Sequence, residues 1–314
     1  MKVCPLQVGD MQIRNNLFLA PIAGFTDYAF RSVILPLGAG LCFTELTSAK
    51  GLYYGGKNNY PLIRTDDYDK TAVQIFGSEP YFMRWACESE YLKDYRIIDI
   101  NMGCPVPKIV KNGDGSALLT NIRLAEQIIK ECVKSGKIIT VKIRTGIKQG
   151  DDIAAEFAKM AENAGAKLIT IHGRVRENYY SGEPNFAAIE RAKRAVKIPV
   201  IANGGIFTVE DADHMIDETG ADGIMIARGA IANPFIFSEI SGEKITGDIK
   251  TIKDFAIKHL RAEAEVSGDN KSAVEFRKFV PYYLKSEENA KSKRAEIMLS
   301  DSAVKTEELL NKYL

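Results

Sequence analysis

The run Ile97-Ile98-Asp99-Ile100 passes straight into Asn101-Met102-Gly103-Cys104-Pro105-Val106-Pro107-Lys108, and then into Asn112-Gly113-Asp114-Gly115-Ser116-Ala117-Leu118-Leu119. It reads as a buried strand that empties into a stiff loop. Near-continuous apolar character is the habit of a parallel strand covered on both faces. The loop holds one cysteine, Cys104, between a glycine and a proline. A thiol fixed at the end of a buried strand is a poor use of a packing residue and a good use of a reactive one.

Working outward, similar short runs recur at Leu17–Ile22, Leu41–Thr44, Thr71–Phe76, Ile138–Ile143, Leu168–His172, Val200–Ala202 and Gly223–Ile226. Most are separated by segments of helical period. In one of these, Ala154, Phe157, Ala158 and Ala161 share a face. In the segment Leu124–Lys134, Thr120 or Asn121 is placed to cap the start and Gly136 to mark the stop. Eight strands alternating with helices predict an α/β protein, a (β/α)8 TIM barrel, with an open doubly wound sheet as the rival. Leu6–Val8 and Met11–Ile13 around Gly9-Asp10 predict an N-terminal β-hairpin that plugs the barrel floor. After Pro234-Phe235-Ile236-Phe237 the alternation stops. Ser241 to Gly247 reads as a linker, and Ile252–Val266, Ser272–Lys285 and Asn289–Tyr313 read as helices. The expected division is a barrel over residues 1–240 and a small all-helical domain over 248–314.

The chain has 314 residues and a formal net charge of +1, so no global field draws it to polyanions, and any nucleic-acid contact needs a local basic patch. Its five cysteines, at 4, 42, 87, 104 and 132, show neither a CxxC pair nor zinc spacing, so reduced thiols and no metal site are expected. No apolar stretch is long enough to span a bilayer and the N-terminus does not resemble a signal peptide. A soluble cytoplasmic protein with no membrane attachment and no obligate protein partner is the expectation.

In a barrel the chemistry gathers where strands end. After the first strand, Pro21, Ile22 and Ala23 present bare backbone to a planar ligand, although Thr26 or Asp27 also suits a plain helix cap. Gln74 interrupts an apolar strand and needs partners for its carboxamide, from a polar heterocycle or from neighbouring backbone. Lys142 and Arg144 share one side of their strand. An inward lysine calls for an anionic or polar ligand, or for a carboxylate such as Asp99 or Glu45. His172 ends a strand and is followed by glycine, whereas His214 and His259 fall in helical stretches and read as surface residues. Asn203-Gly204-Gly205 and Ala227-Arg228 follow the seventh and eighth strands, where barrels frequently hold phosphate, so a phosphorylated cofactor is expected. For Cys104 two roles stand open: a nucleophile, with a lowered pKa and a base reached through the fold, or a proton donor that stays a thiol.

Taken together, these motifs resemble the tRNA-dihydrouridine synthase family. The resemblance is carried by Ala20-Pro21-Ile22-Ala23-Gly24-Phe25-Thr26-Asp27, Gln74-Ile75-Phe76-Gly77, Asn101-Met102-Gly103-Cys104-Pro105, Val141-Lys142-Ile143-Arg144-Thr145-Gly146, His172-Gly173-Arg174, Asn203-Gly204-Gly205-Ile206 and Arg228-Gly229-Ala230. Phe276-Arg277-Lys278 with Tyr282-Tyr283-Leu284-Lys285 resembles the family's helical signature, and Asn233-Pro234-Phe235-Ile236-Phe237 leans towards the bacterial B-type branch. The family usually has Asn-Gly-Asp at 203–205, Gly-Arg at 227–228, and often His and Trp at Phe279 and Tyr282, so this chain departs there.

The resemblance implies a flavin barrel with a tRNA-gripping helical domain. NADPH would reduce bound FMN, hydride would pass to C6 of a uridine, and Cys104 would protonate C5 from the opposite face. Pro21, Ile22, Ala23, Gln74, Lys142, His172, Asn203, Gly204, Gly205, Ala227 and Arg228 would then hold the cofactor. Asn101, Arg144, Arg174, Arg277 and Lys278 would meet the substrate, with Arg261, Lys285, Lys291, Lys293 and Arg294 as further phosphate contacts. Two other functions fit the sequence: a flavin barrel acting on a free pyrimidine or dihydroorotate, and a tRNA-binding protein without catalysis.

Overall fold

A computed structural model describes residues 1–314 except 56–58, 244, 246–247 and 286–288. The strands are β1 (Leu6–Val8), β2 (Met11–Ile13), β3 (Leu17–Leu19), β4 (Leu41–Phe43), β5 (Thr47–Ser48), β6 (Thr71–Phe76), β7 (Ile97–Met102), β8 (Ile138–Arg144), β9 (Leu168–His172), β10 (Val200–Asn203) and β11 (Gly223–Ile226). All eight expected barrel strands are present. β3 pairs in parallel with β4 on one side and with β11 on the other, and β4 pairs with β6, so the sheet closes on itself and the open-sheet rival is excluded. The short β5 adds to the far end of β6. β3 is shorter than the expected Leu17–Ile22. The Ala20 N–H still reaches Ile226 O at 2.8 Å, but Pro21 has no N–H with which to continue the ladder.

Side chains alternate in and out along each strand. The inward positions nearest the floor are apolar. Phe18, Leu41, Ala72, Ile97, Ile138, Leu168 and Ile201 form one cluster with Val8, Met11 and Ile13 of the antiparallel hairpin β1–β2, which plugs the barrel as expected. On β6 to β10 the next inward positions up the barrel, Gln74, Asp99, Thr140, Thr170 and Asn203, are buried and polar, whereas Ala20 and Phe43 above β3 and on β4 stay apolar.

The helices cover the barrel through the faces that the sequence marks. Ala154, Phe157, Ala158 and Ala161 are all buried on helix Ala154–Asn163. Asn121 caps helix Ile122–Val133 by accepting from Leu124 N at 3.1 Å, a contact worth about 1 kcal/mol.

Beyond helix Ile236–Ile240 come helices Ile249–Ser267, Asp269–Phe276, Val280–Tyr283, Ala290–Met298 and Ala303–Tyr313. Positions 244, 246 and 247 of the expected linker lie outside the described residues. Two expected long helices are each split. Pro281 cannot donate a helical hydrogen bond and its ring opposes the Arg277 carbonyl, so the segment expected at 272–285 breaks before Val280. Ser302 restarts the last helix by accepting from Lys305 N at 3.2 Å.

The helical region shares one core with the barrel. Phe30 of helix Tyr28–Ile34 stacks on Phe279 (centroids 5.4 Å, planes 13° apart). His259, expected at the surface, is fully buried there against Phe276 and Phe279, with Nδ1 2.8 Å from the Tyr283 hydroxyl. The helical period alone did not reveal this, because the partner face comes from a different helix. His214 is exposed. Among the described residues no helix is long and apolar enough to cross a membrane.

Candidate active site

A cavity of about 450 Å³ opens at the C-terminal mouth of the barrel. Every residue expected to hold the cofactor lines it, as do Asn101, Arg144 and Arg174 of those expected to meet substrate; Arg277, Lys278 and the further basic residues of the helical region do not. Arg277 and Lys278 have partners inside the protein and brace it. Arg277 donates from Nη2 to Ser300 O at 2.9 Å. Lys278 pairs with Asp27 Oδ2 at 3.1 Å and lies over the Phe279 ring. Asp27 also caps helix Tyr28–Ile34 by accepting from Phe30 N, so the loop after the first strand caps a helix while its Pro21, Ile22 and Ala23 line the cavity. Of the other basic residues on the helical region, Arg261 pairs with Glu307 and Arg294 donates to Leu284 O, while Lys285 and Lys291 are exposed.

One wall is a chain of polar side chains that climbs from inside the barrel to the cysteine loop. Thr140 Oγ1 donates to Asp99 Oδ1 at 2.6 Å, and Gln74 Nε2 donates to Asp99 Oδ2 at 2.7 Å. Asn101 Nδ2 donates to Gln74 Oε1 at 3.0 Å. Asn101 Oδ1 then accepts the Gly103 N–H at 3.2 Å and the Cys104 N–H at 2.9 Å. The loop is pinned from two more sides. Ser116 donates to Cys104 O at 2.8 Å, and Arg144 Nε donates to Gly103 O at 3.0 Å. Arg144 Nη1 reaches the carbonyls of Val175 and Tyr179, so this buried guanidinium braces loops through Nε and Nη1 while it lines the cavity. Burial raises the Cys104 thiol above its usual pKa, only partly offset by the Val106 N–H and the Arg144 and Lys142 charges. A protonated thiol therefore faces the cavity at neutral pH. That supports the proton-donor role over the nucleophile, since a nucleophile needs the thiolate.

The cavity is also cationic. Lys142, Arg144, Arg174 and Arg228 line it, and among the described residues its lining contains no carboxylate. The partner of Lys142 is neither Asp99 nor Glu45. Its Nζ donates to Asn203 Oδ1 at 2.8 Å, and Asn203 Nδ2 donates to Met225 O at 2.7 Å. Asp99 is taken up by Gln74 and Thr140, and Glu45 accepts from Gly24 N. Arg174 donates from Nε to Gly182 O at 2.8 Å, and Arg228 lies over the Tyr180 ring, 4.7 Å from its centroid. His172 is buried among these charges. Desolvation first, then Arg144, Lys142, Arg174 and Arg228, push its pKa well below the usual value, so the imidazole is neutral. Its Nε2 is 3.4 Å from Arg174 Nη1, and because arginine only donates, Nε2 accepts and the proton sits on Nδ1. Gly204 has φ +117°, and a Cβ there would lie 2.7 Å from His172 Cδ2, so the loop after β10 can pack on the imidazole only without a side chain.

Burial, then the neighbouring Arg144, lowers Lys142 from 10.5 to about 7. Between these values the unfolded chain keeps a proton that the folded protein has lost, so this group's contribution makes stability rise with pH across that window. Below about 7 the ammonium is charged in both states and its full burial penalty applies. Thermal scans of ligand-free Lys142→Met should therefore show melting a few degrees above the parent at pH 6, the difference shrinking as pH climbs towards 10. A variant that melts lower at pH 6 would mark Lys142 as a net stabiliser of the fold.

Several cavity residues were given no site role by sequence: Phe25, Tyr180, Phe207 and Tyr282. They lie in loops or short helices where an aromatic side chain carries no periodic signal. Tyr282 comes from the helical region, with its ring centroid 6.4 Å from that of Phe25, so the region touches the cavity rim. Asp99 did carry a signal, the same polar break in an apolar strand that flagged Gln74.

Comparison with known proteins agrees with this geometry. Residues 18–314 match the model of a family described as dihydrouridine synthase. The chain is 36% identical over 316 residues to the tRNA-dihydrouridine synthase B of Vibrio vulnificus, covering 98% of each chain. It is 37% identical over 288 residues to the tRNA-dihydrouridine synthase B of Proteus vulgaris, covering 89% of each. Among solved structures, the barrel resembles morphinone reductase (TM-score 0.56, 12% identity, 79% of this chain and 91% of that one). It also resembles TcOYE crystallised with pHBA (TM-score 0.55, 12% identity, 76% and 91%).

Proposed function

The chain belongs to the dihydrouridine synthase family, and from that premise we propose an FMN-dependent, NADPH-consuming reductase that uses Cys104 as its acid. Its reaction is the reduction of uridine in tRNA to dihydrouridine. The observation that carries the cofactor assignment is the cavity's charge: three guanidiniums and Lys142 line it, with no carboxylate among the described lining residues, a surplus that suits an anionic ligand. FMN fits this donor set. Arg174 and Arg228, with the backbone of Gly204 and Gly205, would hold its phosphate, and Pro21, Ile22, Ala23 and Ala227 would pack on it. Gln74, Lys142 and His172 would meet the ring system, with Asn203 orienting Lys142. When bound, FMN supplies the hydride that goes to C6 of the uracil, having taken it from NADPH.

The chain's own residues supply the rest. Asn101 holds the uracil edge, and the Cys104 thiol donates its proton to C5, a role typically worth about 10²–10⁴-fold. The uridine has to leave its stack to enter the cavity, as base-modifying enzymes generally require. The helical region at the rim, with Tyr282 on the cavity and Lys285 and Lys291 exposed, is the natural cradle for the rest of the tRNA. Arg277 and Lys278 contribute by fixing that region rather than by gripping phosphate. This rim also weighs against a free pyrimidine as substrate, which would not need it. Turnover on tRNA places the enzyme with the cytoplasmic tRNA pool.

Two measurements test this. The purified protein should show flavin bands in the visible spectrum, or gain them with added FMN; absence of both would end every flavin reading. Dihydrouridine should be restored to tRNA from a strain lacking the modification when this protein is expressed. Flavin without dihydrouridine would favour the free-pyrimidine alternative.

A further inference from the structure

We infer that Asp99, which does not line the cavity, is a positioning residue: its carboxylate sets the polarity of the amide relay that aims the Cys104 loop. The inference rests on the assignment of Cys104 as acid. The relay has a direction that follows from chemistry alone. An ionised carboxylate only accepts hydrogen bonds, so Gln74 must turn its NH₂ towards Asp99. Its carbonyl oxygen then faces Asn101, which must answer with NH₂. The Asn101 oxygen is left facing the Gly103 and Cys104 amides, both of which only donate. Reversing any one amide sets donor against donor or acceptor against acceptor somewhere along the line.

Asp99 is the one acceptor-only group in the relay. Thr140 could both donate and accept, and Gln74 taken alone reads in either orientation, so the relay is held between Asp99, which only accepts, and the Gly103 and Cys104 amides, which only donate. The burial of Asp99 raises its pKa to about 6, against the opposing pull of Gln74, Thr140 and Lys142, which leaves it ionised at neutral pH. Asp99 is fully buried, Gln74 is 1% exposed, and Asn101 is 8% exposed. Water is therefore poorly placed to repair a misread amide, and a buried unpaired polar group costs about 1–3 kcal/mol. On this reading the aspartate inside β7 is kept for orientation two steps away, not for contact with substrate.

The test uses the full-length protein as purified and Asp99→Asn, which keeps the volume but can offer NH₂ to Gln74. Hydrogen exchange at the Gly103 and Cys104 amides needs no catalysis, and in the variant it should quicken about tenfold, the equivalent of one weakened hydrogen bond. In single-turnover assays, flavin reoxidation by tRNA should slow about tenfold or more, and by several-fold more than flavin reduction by NADPH, because only the first step needs the aimed thiol. Unchanged amide exchange, or equal slowing of both half-reactions, overturns the inference. Should Asp99→Asn not fold, Thr140→Val frees one carboxylate oxygen and is read by the same two criteria, with smaller shifts in the same direction. A parent protein without flavin would count against the proposed function, while the exchange measurement would still decide the relay.

Discussion

Cys104→Ala is expected to lose tRNA reduction by about 10²–10⁴-fold while still oxidising NADPH through its flavin. The acid has to be protonated before it can act, and burial holds the Cys104 thiol above its usual range. It also has to be in one place, and the loop is tied at Gly103 N, Cys104 N, Gly103 O and Cys104 O by Asn101, Arg144 and Ser116. Gly115, at φ +58°, lies against Cys104, and a Cβ there would meet Cys104 O at 3.0 Å, so the backing segment is fitted closely to the loop. Alanine at 104 removes the proton and leaves these ties intact, so flavin content and NADPH oxidation serve as internal controls. Full tRNA activity in Cys104→Ala would assign the proton to another group. Loss of both activities would point to a disturbed cavity instead.

The second large effect is on cofactor retention. Arg174→Ala/Arg228→Ala is expected to weaken FMN binding by about 10²–10⁴-fold, taking about 1.5–3 kcal/mol for each charged hydrogen bond lost. Both guanidiniums line the cavity, whose described lining residues include no carboxylate, and Arg174 lies beside Gly204 and Gly205. Riboflavin is the discriminating ligand, because it carries the ring without the phosphate. Fluorescence titration of the double variant should show a large loss for FMN and little for riboflavin. An equal loss for both would place the arginines at the ring or in the fold. Arg228→Ala alone guards against the second outcome, since Arg174 also holds Gly182 O.

Much of the barrel was legible because burial on both faces of a parallel strand forces continuous apolar runs, and all eight were read, seven with ends within one or two residues of those observed and Leu17–Ile22 running past the end of β3. The site was legible for the converse reason. Gln74, Asp99 and Lys142 break apolar strands, and a polar group at such a position needs a partner. The identity of the partner was not legible. Lys142 meets Asn203, 61 residues away, instead of either carboxylate candidate, because the register of β8, β9 and β10 sets Lys142 level with Thr170 and Ile201, one inward position below Asn203. Arg277 and Lys278 looked like surface cations because helical period shows which residues share a face and not what lies opposite. Ser300 and Asp27 lie opposite.

By itself, then, the sequence determined the strand count, the hairpin plug, the rigid cysteine loop and the list of polar residues held inside a parallel barrel. Those are consequences of local composition, of apolar runs, turn residues and the places where a buried run is interrupted. Only the tertiary structure decided which of those polar residues face one another, that the cavity's cations stand without a carboxylate, and that Asp99 looks along the relay to Cys104. Hydrogen bonds and charge pairs act over a few ångströms, and strand register, not separation along the chain, sets which side chains come that close.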